Sequence, residues 1–128
     1  MEDYFWFGFY VFVNSLILYV LTVNVSRIRL KLGVSVGDGG HKALVYAMRA
    51  HSNGVEQVPI FGLIILALTV LSVSNIVLML LVLVFSVSRV AHGYGMACKS
   101  FISRRVGAAL TYIAELIGIL ILGYELFA

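Results

Sequence analysis

Thiols and prolines are almost absent from this chain: its 128 residues include one cysteine, Cys98, and one proline, Pro59. A lone cysteine excludes a disulfide framework within the chain and any metal site built from cysteines. Charge is also scarce. Only 12% of residues are Asp, Glu, Lys or Arg, against about 25% in an ordinary soluble domain. The spacings that mark familiar catalytic centres are missing too. His51 and His92 fall on different predicted helices with no His-Glu-x-x-His arrangement, so no metal is expected. No Ser-His-Asp set is apparent. Gly33, Gly37, Gly39 and Gly40 lack the spacing and the following Lys-Ser/Thr pair of a phosphate loop and read as turn glycines.

What is present is hydrocarbon. A hydrophobic fraction of 62% and a mean hydropathy of +1.05 predict an all-α integral membrane protein, a four-helix bundle with no soluble catalytic domain. One transmembrane domain is expected, with spans at about 4–26, 41–71, 75–97 and 104–126, since about 20 apolar residues cross the hydrocarbon core. The first segment carries Glu2 and Asp3 in place of a basic n-region and has no small-residue cleavage site, so it is expected to be a retained span. Tyr4, Phe5, Trp6, Phe7, Phe9 and Tyr10 crowd its outer end, as side chains at a headgroup boundary do. The second helix, at about 45 Å, exceeds the hydrocarbon thickness, so its polar first half is expected to protrude. Asp38 or a following glycine can cap it, and Pro59 predicts a kink.

The net charge of +3 and pI near 9.2 could suggest a nucleic-acid binder, but the position of the basic residues favours topology. Arg27, Arg29, Lys31 and Lys42 flank the first connection, and Lys99, Arg104 and Arg105 the third. Glu2, Asp3 and Glu125 lie at the other side. The positive-inside rule then places both termini on the non-cytoplasmic side, and no nucleic-acid partner is expected.

Four ionisable residues fall inside the spans: Arg49, Glu56, Arg89 and Glu115. Each costs about 2.5 kcal/mol or more at mid-membrane, so each is expected to face protein and to have a partner. At 100° per residue, Lys42, Tyr46, Arg49, Asn53 and Glu56 form a stripe roughly 80° wide on the second helix. Arg89 and His92 share a face of the third span, and Arg104, Ala108, Thr111 and Glu115 share one of the fourth. Arg89 and Glu115 lie ~12 and ~16 Å from the basic end, close enough in depth to pair. The four charges sum to zero. They predict a neutralised buried network of Arg49, Arg89, Glu56 and Glu115, with a polar pocket open to the cytoplasm; the same residues could instead simply lock the helices together.

The stretch "RAHSNGVEQVPIF" on a long second helix resembles the Arg-Ala-His-x-Asn-x-x-Glu motif of the MAPEG family, the membrane-associated proteins of eicosanoid and glutathione metabolism. "SRVAHGYG" on the third span and an arginine opening the fourth extend the likeness over essentially the whole chain. With "VGDGGHK" before the motif, the chain looks most similar to the family's bacterial inner-membrane branch. The resemblance implies a homotrimer in contact with membrane lipids, with glutathione as co-substrate bound between subunits. It further implies thiol chemistry on lipophilic small molecules or peroxides, a detoxifying transferase activity.

Carried over by position, Arg29, Asn53, Glu56 and His92 match glutathione-contacting residues, and Arg104 or Arg105 the residue beside the thiol. Arg49 matches a mainly structural position, which with Arg89 and Glu115 makes a structural polar network. Ser52 stands where catalytic members often have a basic residue, and Met96 where they often have a tyrosine, for which Tyr94 is the candidate substitute. Some members bind lipid and assist other proteins without catalysis, which is the alternative reading: a non-catalytic lipid-binding or scaffold protein of the same fold.

Overall fold

The computed structural model describes residues 4–128 and consists of four helices, α1 (Phe5–Leu32), α2 (Lys42–Val70), α3 (Asn75–Ala97) and α4 (Phe101–Phe127). Glu2 and Asp3, used above to orient the chain, lie outside the described residues. All four helices are long and apolar enough to cross a membrane. The third helix keeps the expected bounds. α1 continues about one and a half turns past the expected end of its span, carrying Arg27, Arg29 and Lys31 on a helical extension that closes at Gly33. Gly33 adopts φ +66, and its amide bonds back to the carbonyls of the last turn. A residue with a Cβ would adopt that conformation only at a steric cost. α4 likewise begins three residues earlier than expected, where the Ser100 hydroxyl accepts from the Ser103 amide, a side-chain cap for an otherwise orphaned donor.

The first connection differs from the expected cap. Asp38 accepts through its carboxylate from the Gly40 amide at 2.9 Å, closing a turn within the loop, and His41 occupies the N-cap of α2 without a side-chain bond. α2 runs as a single helix through Pro59. Immediately before that proline, the Tyr10 hydroxyl donates to the Val58 carbonyl at 2.7 Å.

α2 and α3 each pack against all the other helices, and α1 and α4 flank them. The bundle has two chemically distinct halves. Away from the basic connections, Phe61 and Phe85 stack with ring centroids 4.1 Å apart, and Tyr10 leans on both. Ile64, Ile65, Leu68, Leu78, Leu81, Val82 and Ala114 complete this core. Such packing is what holds helices together in lipid, where burying apolar surface brings no hydrophobic gain. Asn14, fully buried, links α1 to α3 beside this core by donating to the Ser86 hydroxyl at 2.9 Å, and it donates to the Tyr10 carbonyl at 3.0 Å.

Towards the basic end, α3 and α4 approach until their backbones touch. A Cβ on Gly107 would stand 2.7 Å from the Ser88 carbonyl oxygen, and one on Gly95 would stand 2.7 Å from Arg104 Cα. These two small residues set the register of α4 on α3, and hence which arginine of α4 turns inward.

Candidate functional site

Arg89 is the buried charge around which the basic half is organised, with 2% of its surface exposed. Its guanidinium donates to Asn53 Oδ1 of α2 at 2.9 Å and to Thr111 Oγ1 of α4 at 3.4 Å. Thr111 meets the Ser88 hydroxyl at 2.8 Å and donates to the Gly107 carbonyl at 2.9 Å. One cation thus ties three helices through neutral oxygens. Glu115, half-buried one turn beyond Thr111, has its own partner. With the Gln57 amide nitrogen turned towards it, that amide donates to both carboxylate oxygens at 2.6 and 2.9 Å.

This differs from the expected Arg89–Glu115 pair. The two residues are near in depth but take different neutral partners, Asn53 and Thr111 for the cation and Gln57 for the anion. Arg49 and Glu56 differ more. Both are exposed on the outer face of α2, while Tyr46 and Asn53, at the edge of the same stripe, turn inward and are half-buried. The stripe therefore straddles the boundary of the bundle, and the four-charge network is not closed within one chain.

Towards the basic end lie two small adjoining cavities that share Tyr46 and Lys99. One, of about 140 Å³, lies among α1, α2 and α3 and is walled mainly by small residues such as Ala43, Ala47, Ala50 and Gly93. The other, of about 120 Å³, is lined by Tyr46, Gly95, Lys99, Ser100, Phe101 and Arg104. Arg104 is half-buried and faces this cavity, whereas Arg105 is exposed. Their guanidinium carbons lie 5.3 and 5.2 Å from the centroid of the Phe101 ring, within cation–π range. The close approach at Gly95 is what turns Arg104 inward, and sequence spacing alone could not order the pair.

The remaining candidates are dispersed. Arg29 donates to the Gly37 carbonyl at 2.8 Å and reaches Met48 Sδ at 3.4 Å, so its guanidinium braces the first loop. His51 meets the Thr22 hydroxyl at 2.9 Å and fastens α2 to α1. His92 is 7% exposed, and its Nδ1 has no partner among the described residues. Tyr94 is exposed and lines a groove between α1 and α3, and it does not line the Arg104 cavity. It does not take the place of the tyrosine that Met96 replaces. No group of three or more His, Cys, Asp or Glu side chains is placed to hold a metal among the described residues.

Lys99, Ser100 and Phe101 are cavity residues that sequence reasoning passed over, having counted Lys99 for topology alone. The three- and four-residue offsets from Phe101 to the two arginines were the available signal, because such pairs meet on a helix.

Four apolar helices with charged and hydrogen-bonding side chains gathered towards one end define an integral membrane protein with a polar intramembrane centre. The chain belongs to the MAPEG family, whose pattern matches residues 7–124. It is 31% identical over 111 residues to the inner membrane protein YecN of Escherichia coli strain K12, covering 87% of this chain and 85% of that protein. The YecN protein of the O6:H1 strain of E. coli matches to the same extent.

Proposed function

We propose that this protein is a glutathione transferase-like membrane protein that works as a homotrimer, with each thiol site completed by a neighbouring subunit. The observation that carries this reading is the division of charge on α2. Arg49 and Glu56 lie on a membrane-spanning helix yet are exposed on the single chain. Glu56 lies about 21 Å along α2 from Lys42, and a charge that far into a spanning helix is not left against lipid, so another protein surface covers this face. A further copy supplies the complement, because the same face carries both signs.

Glutathione has two carboxylates and an ammonium, and it needs cations for the former and an anion for the latter. Arg104 and Lys99 offer the cations at one cavity, and Glu56 of a neighbouring copy offers the anion. A thiol of pKa near 8.5 is mostly protonated at neutral pH, and a guanidinium beside it favours the reactive thiolate. Arg104 takes that part in this reading and Arg105 does not. The apolar co-substrate, a lipophilic electrophile or a peroxide, reaches the site from the bilayer. The basic connections lie on the cytoplasmic side and both termini opposite, as the positive-inside rule requires.

Calorimetric titration of glutathione into purified protein in detergent tests this. Binding should be present in the wild type, lost in Arg104→Ala and Glu56→Gln, and kept in Arg105→Ala. Absence of any binding heat at millimolar glutathione in the wild type would refute the reading.

One observation favours a non-catalytic lipid-binding or scaffold role. Asn53 and Arg29, two of the residues matched to glutathione contacts, are already engaged inside the subunit, by Arg89 and by the loop carbonyls respectively. On that reading the polar residues serve assembly alone. Arg49→Ala would dissociate the trimer in native mass spectrometry, and no variant or wild type would show thiol chemistry.

A further inference from the structure

α1 and α3 do not close against one another along their outer edge. A groove of about 600 Å³ runs between them from Leu16 to Arg27 on one wall and from Arg89 to Ala97 on the other. The groove extends over ~16 Å of helix; Leu16, Ile17, Val20 and Val23 of α1 with Val90 of α3 make much of its wall aliphatic, and Arg89, whose guanidinium is bonded within the bundle, also borders it. Gly93 and Leu21 lie together in its lining, where a Cβ on Gly93 would make only ordinary contact with the Leu21 side chain at 3.6 Å.

The end towards the first connection is different. Asn24, Arg27 and Tyr94 line it, and among the described residues none of the three side chains has a hydrogen-bond partner. Arg27 and Tyr94 are exposed. An apolar channel with a few unpaired polar groups converging at one end is the form of a binding site for an amphiphile. Its polar end falls near the boundary of the span, where a headgroup sits.

We infer that the α1–α3 groove is a binding site for an anionic phospholipid, one acyl chain lying along Leu16–Val23 and Val90, and the phosphate held by Arg27 with Asn24 and Tyr94. Charge selects the headgroup. A phosphodiester has a permanent negative charge and presents oxygens that match the guanidinium fork, and the Asn24 amide and Tyr94 hydroxyl add neutral donors. The groove is open along its side, with Val20, Val23 and Val90 exposed at its rim. The second acyl chain can therefore remain in the bilayer while the first is held. The groove shares Leu21, Asn24, Gly93 and Ala97 with the smaller cavity among α1, α2 and α3 but no residue with the Arg104 cavity, so it does not depend on the glutathione reading. It gives Tyr94 a role that the thiol chemistry does not use.

Native mass spectrometry of the full chain in detergent, titrated with phosphatidylglycerol or with phosphatidylcholine of the same acyl chains, tests the inference. Phosphatidylglycerol should be retained in preference. Arg27→Ala should weaken its retention by about fivefold, the factor equivalent to the ~1 kcal/mol that one basic residue contributes near an anionic headgroup. Arg27→Lys should keep the preference, and Val90→Trp, which fills the exposed wall, should lower retention of both lipids. Equal retention of the two lipids by the wild type would overturn the inference, as would unchanged retention in Arg27→Ala. Displacement of phosphatidylglycerol by an equimolar fatty acid of the same chain length would overturn the phospholipid as occupant. Glutathione calorimetry on the same samples keeps the two readings apart, since absent glutathione binding with intact lipid preference counts only against the transferase.

Discussion

Replacing glycine by alanine should have opposite consequences at two positions of α4, and the difference measures how tightly α4 is seated on α3. At Gly123 a Cβ would meet nothing within 4 Å. There the change should stabilise the helix by up to about 1 kcal/mol, the ordinary advantage of alanine over glycine in a helix interior. At Gly107 the same Cβ would press on the His92 backbone nitrogen and stand 2.7 Å from the Ser88 carbonyl oxygen and 2.8 Å from His92 Cα. All three atoms belong to the α3 backbone, so no side-chain rotation relieves the overlap and α4 must move as a body.

Overpacking of this kind costs about 1–3 kcal/mol. The helix-propensity gain is shared by both substitutions and cancels in the comparison, so Gly107→Ala should be less stable than Gly123→Ala by about 1–3 kcal/mol. Unfolding of detergent-solubilised protein, followed by circular dichroism as a denaturing detergent is titrated in, gives that difference directly. A gap of less than about 0.5 kcal/mol, the ordinary scatter of neutral substitutions, would refute the close approach. With it would go the argument that Gly95 and Gly107 decide which arginine faces the cavity. The displacement should also move Arg104, so glutathione binding should weaken in Gly107→Ala and not in Gly123→Ala.

Two further substitutions probe the apolar half and the first loop. Phe61→Ala removes the ring that stacks on Phe85 and should cost about 3–5 kcal/mol, whereas Tyr10→Phe removes only the bond to the Val58 carbonyl and should cost about 0.6 kcal/mol, at most ~1.7; equal losses in the same unfolding assay would contradict the division of labour assigned to that core. Arg29→Ala deletes the guanidinium that donates to the Gly37 carbonyl, so amide hydrogen exchange across residues 33–41 should accelerate with little change in α3 or α4, and an unaltered exchange pattern would show that the loop does not depend on it.

The polar residues of α2 show how far the sequence can be read. Helical spacing placed Arg49, Asn53 and Glu56 on one narrow stripe, and composition required that the charges within it be covered. Both statements follow from the helix period and the cost of charge in hydrocarbon. Spacing is blind to where the neighbouring helices stop. The boundary of the single bundle falls inside the stripe, leaving Asn53 against Arg89 and Arg49 with Glu56 outside. Tyr94 illustrates the same limit: the sequence offered it only as a substitute for the tyrosine that Met96 replaces, and the packing of α1 revealed a groove for it to line.

The sequence by itself determined that this chain crosses the membrane four times, that its basic residues gather at two connections, and that its motif on α2 is that of the MAPEG family. Each of these is a local property, written in runs of hydrocarbon, in loop charge and in contiguous residues. Tertiary structure alone decided that Arg89 is held by Asn53 and Thr111, that Glu115 meets Gln57, and that Arg104 enters a cavity while Arg105 remains outside. Those outcomes depend on the rotation and depth of one helix against another. That geometry is set by close contacts such as those at Gly95 and Gly107, between residues that helical periodicity treats as equivalent to any other small side chain.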